Sequence, residues 1–282
     1  MKNATPRTGT VFVLVHGAWH SSAQWSATQR ALAGLGAASL AVDLPGHGFD
    51  APLPSGYLLP GQPGLLTEKS RLATVTLDDC AEAVLRVLRQ VRHHRTVVLV
   101  AHSAGGGPAS LAAEWAPELV DRVVYLSAFV PAGRPRFSDY LGSPENATAL
   151  GQNLNLGDPG ALGAVRINPL SPSPAYLDEL RETHYHDTPL DRFDRWRSAL
   201  SPDLPLAIPT TPVTVTAARW GRLPRTFLRC AEDRALAPAV QDLMIAEADR
   251  AFPRNPFTVH TLPGSHSPFA ARPGELAAVL AS

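Results

Sequence analysis

The sequence predicts an α/β fold, a mostly parallel and doubly wound sheet with an additional segment inserted late in the chain. Short, almost wholly apolar runs alternate with segments of helical periodicity. This alternation is typical of parallel strands that are covered by helices on both faces. With 282 residues, the chain is long enough to form one core of this kind without a disulfide or a metal.

Each predicted strand is a run of apolar residues that ends in a turn, and each predicted helix carries its apolar residues on one side. Trp25, Leu32 and Leu35 share a side of the first helix, and Asp78 and Asp79 lie in the first turn of the second, where they suit the helix dipole. The predicted strands span residues 11–17, 38–48, 96–103, 121–131, 226–233 and 257–264, and the helices span 21–36, 76–91, 108–115, 238–251 and 273–280.

Two longer segments interrupt this alternation. Residues 49–74 are rich in proline and glycine and follow a strand, so we expect them to overhang the edge where the strands end. Residues 132–223 have only patchy helical periodicity, around 175–183 and 190–200, but they contain several aromatic side chains that favour packing. The prediction is a core of residues 1–131 and 224–282 with a cap of residues 132–223.

Composition excludes several classes of partner. Lys and Arg total 25, as do Asp and Glu, so the chain has no excess charge for nucleic acid or an anionic membrane. No apolar run reaches the length of a membrane span or a signal-peptide core. Cys80 and Cys230 are expected to be buried thiols. We therefore expect a cytoplasmic monomer or homodimer that acts on a small molecule.

Residues 97–106 read VVLVAHSAGG and raise the question of why an apolar strand leads straight into a serine. A sharp turn from strand to helix can hold a serine exposed at the sheet edge, but only if small residues flank it closely. Ala101 and Gly105 take those places around Ser103, although the usual first residue is glycine. A serine that merely caps the helix is the simpler alternative.

A nucleophilic serine needs a base and an acid that orients the base. Asp233 and His266 follow two later strands, in the order serine, acid, histidine that suits this architecture. Glu232 is a competing acid, and His260 lies within a strand, where a structural role is favoured. The oxyanion would be bound by the backbone N–H groups of Ala104 and Ala18, the latter in the loop after the first strand.

The stretches LVHGAWHSSAQW, AHSAGG, CAEDRAL and GSHSPF resemble the α/β-hydrolase superfamily, and most closely the group of methyl esterases, hydroxynitrile lyases and bacterial esterases. The resemblance implies a triad of Ser103, Asp233 and His266 with oxyanion donors Ala18 and Ala104. It also places a pocket histidine at His20, for which a structural hydrogen bond is an equal alternative. The lyases use threonine and lysine where this chain has Gly17 and Ser267, so lyase activity is disfavoured.

The expected function is a serine hydrolase that cleaves a carboxylic ester or thioester of a small, largely apolar molecule, with no cofactor and no metal. A non-hydrolytic tailoring enzyme, a thioesterase or cyclase, and a small-molecule binding protein are the alternatives on the same fold. His184 and His186 lack further metal ligands and are interpreted as cap surface or pocket lining. The candidate pocket residues are Trp19, His20, Phe129, Tyr185 and Trp196.

Overall fold

A computed structural model describes residues 8–282 of the chain. The strands in this range are β1 (Thr8–Val15), β2 (Ala38–Val42), β3 (His94–His102), β4 (Arg122–Leu126), β5 (Ala164–Arg166), β6 (Asp203–Pro205), β7 (Arg225–Cys230) and β8 (Thr258–Leu262). The helices are α1 (Ser26–Gly34), α2 (Leu77–Val91), α3 (Gly106–Trp115), α4 (Phe137–Leu141), α5 (Pro159–Leu162), α6 (Pro174–His184), α7 (Leu190–Ser198), α8 (Ala207–Thr210), α9 (Pro238–Ala251), α10 (Pro268–Ala271) and α11 (Pro273–Ala281).

Six of the strands in residues 8–282 form one sheet in the order β2-β1-β3-β4-β7-β8. Every neighbouring pair in this sheet is parallel. Each of the six predicted strands is therefore present, although most end earlier than predicted, and their carboxyl ends share one edge. That edge is where functional sites of open parallel sheets form.

The sheet separates two apolar layers, as a doubly wound fold requires. In β1, Val11, Val13 and Val15 face one layer while Phe12 and Leu14 face the other. Side chains of α2, α3 and α9 complete the first layer, and those of α1 and α11 complete the second. Because β1 is buried on both faces, its sequence has no polar alternation.

The fourth strand is shorter than predicted. The apolar pattern suggests a strand over residues 121–131, but β4 ends at Leu126, and Ser127 adopts a left-handed backbone with φ of +40°. The Ser127 amide still donates to the carbonyl oxygen of Leu228 at 2.9 Å. The chain therefore turns out of the strand at Ser127, at the carboxyl edge of the sheet.

Residues 132–223 contain the second sheet of the described chain, in which β5 and β6 form an antiparallel pair. A buried ion pair joins these strands, since the Arg166 guanidinium contacts the Asp203 carboxylate through two hydrogen bonds of 2.5 and 2.8 Å. Arg166 also donates to the carbonyl oxygens of Leu65 and Glu68 at 2.8 and 2.9 Å. The 49–74 segment is thus held against the insertion.

Two further sequence predictions concern the cysteines and the membrane. Cys80 and Cys230 are buried and free, as expected, and burial raises the pKa of the Cys80 thiol to about 12. Across the described residues, no helix combines the length and the apolar character that crossing a membrane requires.

Candidate active site

Ser103 occupies a strained turn between β3 and α3. Its φ is +52°, a left-handed conformation that residues other than glycine seldom adopt. The Phe129 amide, from the loop after β4, donates to the Ser103 carbonyl oxygen at 3.0 Å and holds the turn. A serine in such a backbone at the end of a central strand has the geometry of a nucleophile elbow.

The glycines after Ser103 are required by close backbone contacts. A Cβ atom on Gly105 would collide with the carbonyl oxygen of His16, and one on Gly106 would collide with that of Phe129. Ala101, which departs from the usual glycine two residues before the serine, is fully buried. The turn therefore tolerates a methyl group before the serine but not at the positions of Gly105 and Gly106.

Asp233 and His266 are buried and lie side by side. The His266 Nδ1 is 2.7 Å from the Asp233 Oδ2, so Nδ1 carries the proton and donates to the carboxylate. This arrangement leaves the Nε2 of His266 as the basic nitrogen. Glu232, the competing acid, is exposed and accepts a hydrogen bond of 3.3 Å from the Gly264 amide.

The Asp233 carboxylate is held by four further donors. Its Oδ1 accepts from the amides of Ala235 and Leu236, both at 2.8 Å. Its Oδ2 accepts from the Ser127 hydroxyl and, at 3.2 Å, from Gln241 Nε2. These donors satisfy the lone pairs of the buried carboxylate and fix its orientation towards His266. Ser127 was missed by the sequence analysis, although a polar residue that ends a central strand at the carboxyl edge is a usable signal.

His102, directly before Ser103, is a second residue that the sequence analysis missed. Its Nε2 donates to the carbonyl oxygen of His266 at 3.0 Å, and the two rings lie 4.7 Å apart. Burial, together with the nearby His266 and His20, holds the pKa of His102 well below its ordinary value. A neutral His102 thus fixes the loop that carries His266 without adding charge.

The loop after β1 carries the predicted oxyanion donor Ala18 and is tightly held. Trp19 has φ of +61°, and its indole N–H donates to the Val165 carbonyl oxygen at 2.9 Å. His20 Nδ1 donates to the Ala18 carbonyl oxygen at 2.6 Å, while its Nε2 accepts from the Tyr185 hydroxyl at 2.6 Å. Burial lowers the pKa of His20 to about 4. The structure therefore gives His20 the structural hydrogen bonds that were one of its two alternatives.

Ser103 and His266 open into one cavity of about 800 Å³, counting the space that reaches solvent. Within residues 8–282, no hydrogen bond joins the Ser103 hydroxyl to His266, a contact that commonly tightens only when substrate binds. The cavity is lined by Ala18, Trp19, His20, Ser103, Ala104, Phe137, Leu141, Leu150, Gly151, Leu154, Asn155, Val165, Thr183, His184, Leu204, Pro209, Ala235, Leu236 and His266. No Asp, Glu, Lys or Arg belongs to this lining.

The candidate pocket residues fall into two groups. Trp19 and His20 line the cavity, whereas Phe129, Tyr185 and Trp196 do not belong to its lining. The Phe129 ring stacks on that of Phe137 with centroids 5.4 Å apart, and Tyr185 packs between His20 and Trp196. The 49–74 segment also contributes no lining residue. Instead, its backbone contacts Arg166 of the insertion.

Comparison with known proteins places this geometry in a family. The sequence model of the alpha/beta hydrolase family matches residues 12–279. Methylesterase 9 of Arabidopsis thaliana is 28% identical over 248 residues, which cover 83% of this chain and 84% of that protein. A pyrethroid hydrolase of Sphingobium wenxiniae is 28% identical over 284 residues, which cover 97% of this chain and 87% of that protein.

A solved structure shows the same architecture. The crystal structure of a pyrethroid hydrolase from Sphingobium faniae JZ-2 matches with a TM-score of 0.75 at 25% sequence identity. The match covers 97% of this chain and 96% of that chain, so it includes the insertion as well as the sheet. The chain belongs to the alpha/beta hydrolase family and lies near its methylesterase group, as the resemblance of its motifs predicts.

Proposed function

We propose that the protein is a serine esterase that hydrolyses a carboxylic ester of a small, uncharged and largely apolar molecule. The observation that carries this proposal is the 2.7 Å contact between His266 and Asp233 beside the strained Ser103. Relatives that are named methylesterase and pyrethroid hydrolase support the same chemistry.

In the proposed acylation step, the Ser103 hydroxyl attacks the ester carbonyl while His266 Nε2 takes its proton. Asp233 accepts a hydrogen bond from His266 Nδ1 and stabilises the imidazolium that forms. The amides of Ala18 and Ala104, which both line the cavity beside Ser103, are the proposed donors to the tetrahedral oxyanion. The C–O bond then breaks, and His266 returns the proton to the leaving alcohol.

The proposed deacylation step repeats this sequence with water. His266 removes a proton from the water as it attacks the acyl-serine carbonyl, and the Ser103 oxygen leaves and regains that proton. The acid product is released, and no step needs a metal or an organic cofactor. The four further donors keep the Asp233 carboxylate in place against His266 through both steps.

The cavity lining supports the substrate class. Most lining side chains are aliphatic or aromatic, and the lining contains no charged residue that could pair with a carboxylate or a phosphate on the substrate. Burying such a group there would cost several kcal/mol without a partner. We therefore assign the enzyme to neutral esters.

Residues 132–223 are proposed to act as the cap. They supply about half of the cavity lining, including Phe137, Leu154 and His184. A cap of this kind selects substrate by shape and keeps bulk water from the acyl-enzyme.

The test combines turnover with active-site labelling. We expect the protein to hydrolyse p-nitrophenyl esters and to react with a fluorophosphonate probe at Ser103. Ser103→Ala should lose labelling and reduce kcat by about 10⁶-fold, the magnitude seen when a triad nucleophile is removed. Ser198→Ala, at an exposed position in α7, serves as the control.

A binding protein would show neither turnover nor labelling, and that result would overturn the proposal. Matched oxygen and sulfur esters of one acyl group separate an esterase from a thioesterase. The sulfur ester is intrinsically the more reactive of the two. If the enzyme prefers it by more than this difference in reactivity, the result would favour the thioesterase.

A further inference from the structure

His184 ends α6 and places a polar ring in the otherwise apolar wall of the cavity. The other polar groups of the described lining have roles already. Trp19 and His20 hold the first loop, and the Thr183 hydroxyl donates to the Glu179 carbonyl oxygen at 2.7 Å. Asn155 is exposed at the rim. His184 is the remaining polar residue of this lining, and the proposed catalytic mechanism assigns it no role.

The position of the His184 ring is fixed by its neighbours. Its centroid lies 5.9 Å from that of Trp19, in an edge-to-face arrangement, and 5.6 Å from that of His266. Its Nδ1 is fully buried and has no hydrogen-bond partner within residues 8–282. Because Nδ1 is closed off from the cavity, Nε2 is the nitrogen that can meet a ligand. A neutral ring with its proton on Nε2 buries only a lone pair at Nδ1.

The His184 ring is uncharged at neutral pH. Burial, together with the nearby His266 and His20, holds the pKa of His184 well below its ordinary value. A neutral imidazole offers one N–H donor and one acceptor nitrogen. It can therefore donate one hydrogen bond to an uncharged oxygen on a ligand, but it carries no positive charge to compensate the burial of a carboxylate.

We propose that His184 forms a substrate subsite that donates a hydrogen bond to an uncharged oxygen on the alcohol part of the ester. The inference rests on the proposed esterase function. His266 must lie beside the leaving oxygen to return its proton, and His184 is its neighbour in the cavity wall. The centroid separation of 5.6 Å allows a second oxygen two to four bonds beyond the ester oxygen to reach His184.

Two isosteric esters test this subsite. Butyl butanoate and 2-methoxyethyl butanoate have alcohol parts of the same length, and they differ by one methylene that is replaced by an ether oxygen. Binding is measured by calorimetry on the Ser103→Ala background, so that the result does not depend on turnover. We expect Ser103→Ala to bind the methoxyethyl ester more tightly than the butyl ester.

Adding His184→Leu should reduce that preference about fivefold, the worth of one net hydrogen bond. His184→Gln, which keeps an N–H near the position of Nε2, should restore part of it. His260→Leu, on the exposed edge strand β8, should leave the preference unchanged. Thermal unfolding of each variant shows whether it is folded.

The outcomes separate the two proposals. If His184→Leu leaves the ratio of the two ester affinities unchanged, even with both affinities reduced, the subsite is overturned. His184 is then assigned to packing against Trp19. Absence of turnover of either ester by the wild-type protein counts against the esterase function instead. In that case, loss of the preference for the methoxyethyl ester in His184→Leu still supports the subsite. A preference that persists in His184→Leu overturns the subsite.

Discussion

The hydroxyl of Tyr185 lies 2.6 Å from Nε2 of His20, and this contact joins the insertion to the loop after the first strand. His20 in turn donates from Nδ1 to the Ala18 carbonyl oxygen at 2.6 Å. The chain of contacts runs from the insertion to the residue whose amide is the proposed oxyanion donor. We therefore expect Tyr185 to position the first loop, although it does not line the cavity.

Tyr185→Phe is expected to lower kcat about tenfold and to leave KM within about twofold. Loss of the hydroxyl leaves His20 Nε2 without a donor and loosens the Ala18 peptide, and removing one oxyanion donor altogether costs about 10²–10³ in kcat. Steady-state kinetics on a p-nitrophenyl ester measures both constants. An unchanged kcat would show that the contact does not position the loop.

A double-mutant cycle tests the route of this effect. If Tyr185 acts through His20, then adding Tyr185→Phe to His20→Leu should lower kcat little further, since residues in one hydrogen-bonded chain are not additive. Fully additive losses would contradict the coupling.

Asp233→Asn separates the two adjacent acids. We expect kcat to fall by about 10⁴-fold, because an amide in place of the carboxylate no longer fixes the histidine tautomer that leaves Nε2 basic. Glu232→Gln is the matched control, and its kcat should stay within about twofold because Glu232 is exposed. The reverse result would move the acid to Glu232.

The positions of the three proposed catalytic residues could be predicted from the sequence, because the backbone topology determines them. Ser103, Asp233 and His266 each follow a parallel strand, so their meeting at one edge is a consequence of the fold alone. Ser127 and His102 were missed because their roles depend on where one turn ends and on a contact between loops far apart in sequence. The aromatic residues Tyr185 and Trp196 were predicted to line the pocket, but neither belongs to the cavity lining, because aromatic character favours packing as much as contact with a ligand.

The glycines around the elbow give a prediction about stability. Gly106→Ala should destabilise the protein by about 3 kcal/mol or more, because its methyl group would overlap the Phe129 carbonyl oxygen and the rigid turn cannot yield. Gly34→Ala, in α1 with open space around the position, should instead stabilise it by about 0.5 kcal/mol. Urea unfolding measures both. Equal effects would show that the close approach at Gly106 is not a constraint.

Several histidines are buried in a neutral state around the active site. Burial is the largest cause that lowers the pKa of His16, His20, His47, His102 and His184. In the unfolded chain these groups titrate near 6.5, whereas folded His20 titrates at about 4. Between these values the unfolded state binds more protons than the folded state, so stability rises with pH in that window.

The histidine contribution to the free energy of unfolding should therefore be constant above about pH 7 and should fall as the pH is lowered from about 6.5 towards about 4. His20 alone accounts for a loss on the order of 3 kcal/mol over that window, from a pKa that moves from 6.5 to about 4. Urea unfolding across this range measures the slope. His20→Leu should flatten the slope, while His93→Gln, at an exposed position, should leave it unchanged. A stability that does not vary down to about pH 4.5 would mean that these rings take up protons in the folded protein.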